Sequence, residues 1–320
     1  MRTPIALVVA VASGLALAPI RARAQTPGCP ADTTQAGRIC QAGADALVLL
    51  LPIEGSLVGG GNPVPGTAAA VGKFGKFRIA GRIGLTRVTI PSASFDGTTD
   101  TVPLDKRLLV PMPRVDLDLG LFSKKLPVGT ASIDLLGSAV VVPMSASGRY
   151  RLDPNARRIS DFAIGLGFGL RAAMAMTGNK PTVSLNVMKR DMPGIIFGNL
   201  AEGDQLSAST TLSMISARLL VGGRMGPLEL TGGGGIDLLK GKGRVAFHDP
   251  VANADSSLAL DLSTSRINTL LNAALDIGPL KLWGEGGFLV GKDEGVVTTF
   301  ERIDPAGGQF YGGVGVALSF

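Results

Sequence analysis

The chain ends with Phe310-Tyr311-Gly312-Gly313-Val314-Gly315-Val316-Ala317-Leu318-Ser319-Phe320, and this stretch decides the fold class. Alternate positions near the end carry the larger apolar side chains, namely Val314, Val316, Leu318 and the terminal Phe320. Successive side chains of a β-strand point to opposite faces of the sheet, so these four residues share one face. The sequence therefore predicts a strand at about 309–320 with one apolar face.

The same period of two recurs along the chain back to about residue 75. In one example, Val115 and Leu117 alternate with Asp116 and Asp118. Alternation of this kind indicates strands with one apolar face. We predict ten strands, at about 75–91, 113–122, 131–143, 157–173, 180–190, 206–222, 227–240, 263–277, 279–291 and 309–320.

Connectors of two lengths alternate between these strands. Short connectors are expected near 123–130, 174–179, 223–226 and 278, and long ones near 92–112, 144–156, 191–205, 241–262 and 292–308. Short turns at one end of the strands and long loops at the other are typical of a transmembrane β-barrel. A soluble, secreted β-sandwich also alternates. The connector lengths and the last strand favour an all-β fold, a transmembrane antiparallel up-and-down β-barrel of about ten strands, with twelve as the alternative count.

The composition agrees with such a barrel and excludes several other classes. Hydrophobic residues make up 45% of the chain, and the mean hydropathy is +0.33. Beyond the N-terminus, however, no apolar run reaches the roughly 18 residues of a transmembrane helix. The 45 glycines follow no three-residue period, which excludes collagen. Two cysteines are too few for a disulfide-dense scaffold.

Residues 1–24 have the features of a secretory signal peptide. Arg2 precedes an apolar stretch from Ile5 to Ala18, and Ala22-Arg23-Ala24 fits a cleavage site. We therefore expect export, cleavage near Ala24 and a mature chain that begins at Gln25. Cleavage removes three arginines and no acid, which halves the net charge of +6. The remaining charge does not predict nucleic-acid binding.

Residues 25–74 precede the predicted barrel (residues 75–320) as a separate segment. Cys29 and Cys40 are expected to pair in an oxidising compartment. A lipid anchor on Cys29 or a metal site fits the sequence less well, because no apolar lipobox and no further Cys or His ligands are nearby. The segment, with its apolar Ala46–Ile53 run, is interpreted as a periplasmic tether, an additional hairpin or a plug in the lumen.

The last strand resembles the C-terminal recognition strand of bacterial outer-membrane β-barrel proteins, which ends in an aromatic residue. The resemblance includes the signal peptide and the strand pattern. It implies a location in the bacterial outer membrane, contact with its lipid, and assembly by the barrel-assembly machinery, with Val314, Val316, Leu318 and Phe320 as the assembly signal. A periplasmic C-terminus would place the short turns in the periplasm and the long loops outside. The Asn62-Pro63 turn after an apolar stretch distantly resembles the N-terminal hatch of long-chain fatty-acid transporters.

The polar face of each strand is expected to line the lumen, because a spanning barrel turns its apolar face to lipid. A ten-strand barrel is narrow enough for side chains to fill. Acids and bases nearly balance in this set, which argues against strong ion selectivity. The candidates for lumen-lining charges are Arg78, Arg82, Asp116, Asp118, Asp134, Asp161, Arg218, Glu229, Asp237, Arg266, Lys281 and Glu285.

The sequence contains little evidence for an enzyme. His248 is the single histidine, and a Ser–His–acid site would need it. It falls in the predicted long loop 241–262, near Ser256 and Ser257, and is interpreted as a loop histidine beside a turn aspartate. We predict no catalytic residue, metal site or cofactor, although the enzyme question stays open.

Three functions are compatible with the sequence. The first is a barrel that passes small or apolar solutes, with residues 25–74 as gate or plug. The second is a non-transporting structural or surface-interaction barrel that uses its long loops. The third is an outer-membrane hydrolase that uses His248.

Overall fold

A computed structural model describes residues 26–142, 150–152, 158–159, 162–177, 181–291, 296–303 and 307–320. The predicted signal peptide and its cleavage site at Ala24 lie outside these residues, as does Asp161.

Ten long antiparallel strands form one closed ring, in which each strand pairs with its neighbours in the chain. The last strand pairs with the first over Arg78↔Ser319 to Thr86↔Tyr311, which closes the ring. The predicted antiparallel up-and-down barrel of ten strands is thereby confirmed. The strands are β1 (Phe77–Pro91), β2 (Leu104–Leu126), β3 (Gly129–Val142), β4 (Phe162–Met176), β5 (Thr182–Phe197), β6 (Leu206–Met225), β7 (Leu228–Asp249), β8 (Ala254–Ile277), β9 (Leu280–Gly291) and β10 (Gln309–Ser319).

Four shorter strands lie among the connections. Tyr150–Leu152 pairs with β5, and Arg158–Ile159 pairs with β4. Thr101–Val102 and Thr299–Phe300 form a separate parallel pair. This last pair joins the connection after β1 to the connection after β9, so the two connections cover the barrel together.

Turns of two residues mark one end of the barrel. Gly226-Pro227 joins β6 to β7 and Gly278-Pro279 joins β8 to β9, where short connectors were predicted. Both glycines have φ of +61°, a conformation that glycine adopts at little cost. The C-terminus lies at this end too, because the N–H of Phe320 donates to the carbonyl of Phe77 at 2.9 Å. We call this the turn end and the opposite one the loop end.

Several strands extend far beyond the predicted boundaries at the loop end. The predicted loop 241–262 is wrong, because β7 and β8 continue to Asp249 and Ala254 and only residues 250–253 connect them. The Asp249-Pro250 pair is typical of a loop, but the inward Val245 and Phe247 before it maintain the alternation. The predicted loops 92–112 and 191–205 are also too long, since β2 begins at Leu104 and β5 ends at Phe197.

The outer face of the barrel carries an apolar belt. On β7, for example, Leu228, Leu230, Ile236 and Leu238 are all exposed, whereas their strand neighbours Glu229 and Asp237 are buried. In a soluble protein the apolar face of a sheet is buried and the charged face is exposed. The opposite arrangement, found here, is stable where the outer surface contacts lipid. The belt covers about eleven residues of β7, which is the length a tilted strand needs to cross a bilayer.

A single long helix, α1 (Gln35–Gly59), lies inside the barrel. The side-chain oxygen of Thr34 caps it by accepting from the N–H of Gly37 at 3.0 Å. The helix is long enough to cross a membrane, and its most apolar 18 residues have a mean hydropathy of 1.5. Of these residues, however, 83% are buried inside the barrel. No helix was expected here from the sequence. An Ala- and Gly-rich helix that is buried on all sides has no amphipathic stripe to reveal it.

The N-terminal segment threads the lumen from the loop end to the turn end. Near the loop end, Gly43 of α1 packs against Val245, and deeper in the barrel Gly59 packs against Met214. Residues 60–71 continue downwards, and the N–H of Val71 reaches Asp134 at 3.1 Å. Around α1 the lumen wall is apolar, and around residues 60–71 it is charged.

Candidate functional site: the filled lumen and its side cavities

The predicted lumen charges lie inside the barrel wherever the structure describes them. Each is buried as a residue, except Glu285, whose side chain is nevertheless only 3% exposed. Asp161 lies outside the described residues. The buried residues of this set are Arg78, Arg82, Asp116, Asp118, Asp134, Arg218, Glu229, Asp237, Arg266 and Lys281.

These charges form compact groups rather than an even lining. Arg82 contacts Asp116 at 2.9 Å and Glu285 at 3.1 Å. Asp237 lies between Arg218, at 2.5 Å, and Arg266, at 2.9 Å. Cross-strand register explains the second group, because Asp237 of β7 pairs directly with Arg266 of β8.

Two further groups lie closer to the turn end. Lys281 contacts Glu229 at 2.5 Å and Asp276 at 3.2 Å. Arg171 bridges Asp118 and Asp134, the latter at 3.3 Å. In each group the positive and negative side chains lie next to one another, so opposite charges compensate locally.

Three buried arginines were missed in the sequence analysis: Arg114, Arg171 and Arg190. Alternation of inward and outward side chains along their strands would have placed these arginines inside the barrel. Arg114 shares the face of Asp116 and Asp118, and Arg171 lies on the inward face of β4 with the buried Ala163 and Ala173.

Arginines of the wall hold the C-terminal part of α1. A guanidinium N–H of Arg114 donates to the carbonyl of Val58 at 2.8 Å, and Arg266 donates to the carbonyl of Pro52. Arg190 is 1% exposed, lies beside Gly59 and forms no ion pair with a described residue. The last turn of α1 has no basic residue of its own. Because the C-terminus of a helix is its negative end, these wall arginines stabilise it.

The threaded segment is fastened at several points in the charged layer. The side-chain oxygen of Asn62 accepts from the N–H of Val64 at 2.9 Å, which forms a tight turn. The backbone N–H of Asn62 donates to Glu285 at 3.0 Å. Further down, the hydroxyl of Thr67 donates to Glu229.

Connections at the loop end cover the N-terminal half of α1. Arg38 donates to the carbonyl of Gly97 at 2.5 Å, and the N–H of Thr298 donates to Asp45 at 2.8 Å. A disulfide between Cys29 and Cys40 fixes the preceding residues to the helix. In the same cover, the N–H and hydroxyl of Thr98 both donate to Asp96, which holds the pKa of that carboxyl below its ordinary value.

Two cavities lie in line along one side of α1, between the helix and strands β9, β10 and β1. The larger has a volume of about 550 Å³, and the smaller, closer to the charged layer, about 20 Å³. One side of the helix lines both cavities. The larger cavity is lined by Val48, Leu49, Pro52 and Ile53, and the smaller by Ser56, Leu57 and the helix-capping Gly60. The opposite side of α1 packs tightly on β7, so the helix sits off centre.

Tyr311 stands between the two cavities and contributes to the walls of both, together with Leu85 and Gly312. Its hydroxyl donates to Asn268 at 2.8 Å. Past Tyr311, the small cavity reaches Arg82 and Glu285 in the charged layer.

The larger cavity opens sideways where the barrel wall is low. β9 ends at Gly291 and β10 begins at Gln309, whereas the adjacent β8 continues towards the loop end as far as Ala254. Lipid-facing Leu109 and Phe310, both more than half exposed, contribute to the rim. The opening therefore lies at the upper edge of the apolar belt.

The charged layer is suited to hold water. Both amide atoms of Asn186 and the hydroxyl of Thr231 are buried without a hydrogen-bond partner among the described residues. Buried polar groups normally have a partner, and ordered water commonly supplies it.

His248 lies on β7 and not in a loop, which corrects the prediction. Its Nδ1 is 2.9 Å from a carboxylate oxygen of Asp255, its cross-strand neighbour. Ser257 accepts instead from Arg244 at 2.9 Å. Within the described ranges, no group of three or more His, Cys, Asp or Glu residues is arranged to hold a metal ion.

No protein-family model matches the sequence, and no curated protein sequence is significantly similar to it. Among solved structures, the outer membrane protease OmpT from Escherichia coli is 12% identical with a TM-score of 0.40, over 77% of this chain and 97% of that one. The translocator domain of the autotransporter NalP from Neisseria meningitidis is 14% identical with a TM-score of 0.35, over 89% and 94%.

A mutant of the monoaromatic hydrocarbon channel TodX is 9% identical with a TM-score of 0.30, over 76% of this chain and 89% of that one. Values this low carry no information about substrate, enzymatic activity or partners. The closed ring and its apolar outer belt make the chain an integral membrane β-barrel of the outer-membrane type.

Proposed function

We propose that the barrel mediates the passive passage of small apolar or amphiphilic solutes across the outer membrane, along the side of α1 that faces β10 and β1. The pair of aligned cavities carries this proposal. A cavity of about 550 Å³ matches the size of sites that hold small organic molecules.

The lining of the route changes along its length. Apolar residues of α1, such as Leu49 and Ile53, form the floor of the lateral cavity, and Arg87 and Arg266 add charge beside them. Beyond Tyr311 the route meets the mixed charges around Arg82 and Glu285. A solute with an apolar body and a polar end fits both parts, and α1 itself can stay in place during passage.

Tyr311 acts as the constriction in this proposal, so its removal gives the first test. Tyr311→Ala should increase the rate of solute-driven liposome swelling and the conductance in planar bilayers several-fold. Phe168→Ala is the matched control, because this change also removes a ring, but Phe168 is exposed on the outer face of β4 and lines neither cavity. Equal permeability of wild type and both variants would refute the route.

Filling the small cavity should have the opposite effect. Gly84 lines that cavity, and the nearest atom to an added Cβ is 3.8 Å away, so Gly84→Ala can be accommodated and should reduce permeability. Gly81→Ala on the same strand is the control, since nothing lies within 4 Å of its added Cβ. A reduction of equal size in both variants would contradict the assignment of the cavity.

The filled lumen supports one alternative, a non-transporting barrel with a structural or surface role. Its main support is the tight packing of α1 on β6 and β7, where Gly43 and Gly55 allow close approach to β7 and Gly59 allows close approach to β6. This alternative predicts a closed barrel even in Tyr311→Ala, so the same measurement separates the two functions.

A further inference from the structure

The charges that face the two cavities beside α1 are unevenly divided between the signs. Among the described residues that line the cavities, the single carboxylate is Glu285, whereas five residues are arginines. The arginines are Arg82, Arg87, Arg114, Arg266 and Arg302. The near balance of charge expected for the lumen as a whole therefore does not extend to the proposed route.

Three of these arginines lie around the larger cavity. Arg266 contacts Asp237 at 2.9 Å, and Arg302 contacts Glu301 at 3.3 Å. Arg87 lines the lateral opening, is exposed, and forms no ion pair with a described residue. A cleft whose charges have one sign concentrates ions of the other sign, so Arg87 favours the entry of anions.

The other two arginines, Arg82 and Arg114, face the small cavity together. They are direct cross-strand neighbours on β1 and β2, where like charges repel one another. The Nη2 atom of each is buried and has no hydrogen-bond partner among the described residues. The cavity that both guanidinium groups line has a volume of about 20 Å³, which is room for one water-sized group.

The carboxylates of this site do not neutralise it completely. Asp116 contacts Arg82 at 2.9 Å and Arg114 at 3.3 Å. The same carboxylate also interacts electrostatically with Arg190. Glu285 contacts Arg82 at 3.1 Å. Three guanidinium groups thus share two carboxylates, and because a buried charge without a partner is costly, the excess positive charge favours an anion over a neutral group.

We propose that the route selects small organic monoanions, namely carboxylates with a compact apolar body. The body fits the larger cavity of about 550 Å³, against the apolar side of α1. The carboxylate moves from Arg87 at the opening, past Tyr311, to the free guanidinium N–H groups of Arg82 and Arg114. Guanidinium groups form strong hydrogen bonds with carboxylates, and a neutral amide cannot replace that charge. The proposal rests on the passage of solutes proposed above and narrows the class of solute.

Binding is tested with three solutes of nearly equal shape, namely cyclohexanecarboxylate, cyclohexanecarboxamide and cyclohexanecarboxamidinium. Fluorescence of Trp283 reports binding, because the guanidinium of Arg82 lies 5.8 Å from the centroid of its ring. The purified full-length barrel in a neutral detergent should bind the carboxylate about tenfold more tightly than the amide, as a charged hydrogen bond predicts. The amidinium should bind more weakly than either.

Two variants locate the binding site. Arg114→Gln keeps an N–H donor but loses the charge, and it should raise the Kd of the carboxylate about tenfold. Arg244→Gln is the matched control, because Arg244 is exposed on β7 and lines neither cavity. Its Kd should equal that of the wild type. Heat-modifiable gel migration verifies that both variants are folded.

Selection during passage is measured in planar bilayers, from the reversal potential in a gradient of sodium cyclohexanecarboxylate. The wild type should prefer the anion to sodium. Arg87→Gln, an exposed change that leaves the lumen intact, should reduce this preference several-fold, and Arg244→Gln should preserve it. Equal binding of the three solutes, or equal permeability to carboxylate and sodium, would overturn the selection of anions while passage itself stands. Preferential binding of the carboxylate without any current would support the anion site and refute the passage of solutes.

Discussion

Asp237 is the single carboxylate between the buried guanidinium groups of Arg218 and Arg266, so its removal is a severe test of the charged layer. The three side chains are almost completely buried, and the two contacts measure 2.5 and 2.9 Å. Asp237→Ala leaves both positive charges without this partner in a region that excludes bulk water. Breaking a buried ion pair from one side costs about 3–5 kcal/mol.

The same change also loosens α1. Arg266 donates to the carbonyl of Pro52 in the helix, and Asp237 orients that guanidinium. Unfolding by guanidinium chloride in detergent micelles can be followed by the fluorescence of Trp283, the single tryptophan of the chain and a buried residue. We expect the free energy of unfolding to fall by about 3–5 kcal/mol.

Asp191→Ala provides the comparison. Asp191 pairs with Lys189 at 3.7 Å, and the two side chains are 56% and 44% exposed. Exposed ion pairs contribute about 0–1 kcal/mol, so this variant should unfold almost like the wild type. Combining Asp237→Ala with Arg266→Met should recover part of the loss. If both single variants lose equally little, the charged layer does not hold the barrel in the way described.

Three further predictions concern other parts of the molecule. Glu54→Leu should raise the midpoint of unfolding, because Glu54 is buried without a hydrogen bond or ion pair to a described residue and burial of a charge is costly; an unchanged or lower midpoint would count against its burial. Deleting Phe320 should reduce the folded barrel recovered from outer membranes, since its ring stacks on Phe77 at 4.9 Å across the closing strands; undiminished recovery would remove the assembly role. An epitope placed before Thr26 should be labelled on intact cells, whereas one inserted between Gly226 and Pro227 should need permeabilisation, and the reverse pattern would overturn the predicted orientation.

The alternation of apolar and polar residues was enough to predict much of the fold. The alternation of Val314, Val316 and Leu318 placed an apolar face on lipid, and the same rule placed Asp116, Asp118 and Asp237 inside. It was weakest on β6, where inward Leu212 and Met214 are as apolar as outward Ile215 and Leu219. The reason is α1, whose apolar surface makes an apolar inner wall favourable at that level.

The helix and its contacts could not be derived from the strands. Nothing in the sequence near Arg190 indicates that it lies beside Gly59, because that contact depends on where the threaded segment sits in the lumen. The two cavities also depend on the tertiary structure, since they arise from the off-centre position of α1 and from the short strands β9 and β10. Sequence periodicity describes each strand, whereas the site depends on how the ring is filled.

The threaded segment and the closure of the ring depend on each other. Residues 60–71 bind side chains from opposite sides of the lumen, including Asp134 of β3 and Glu285 of β9. The segment then leaves at the turn end, where it continues directly into β1 beside Phe320. A chain held from both sides cannot be inserted after the last strands have paired without breaking those contacts. We therefore expect the β1–β10 pair to close around a segment already inside, so that weakening either one weakens both.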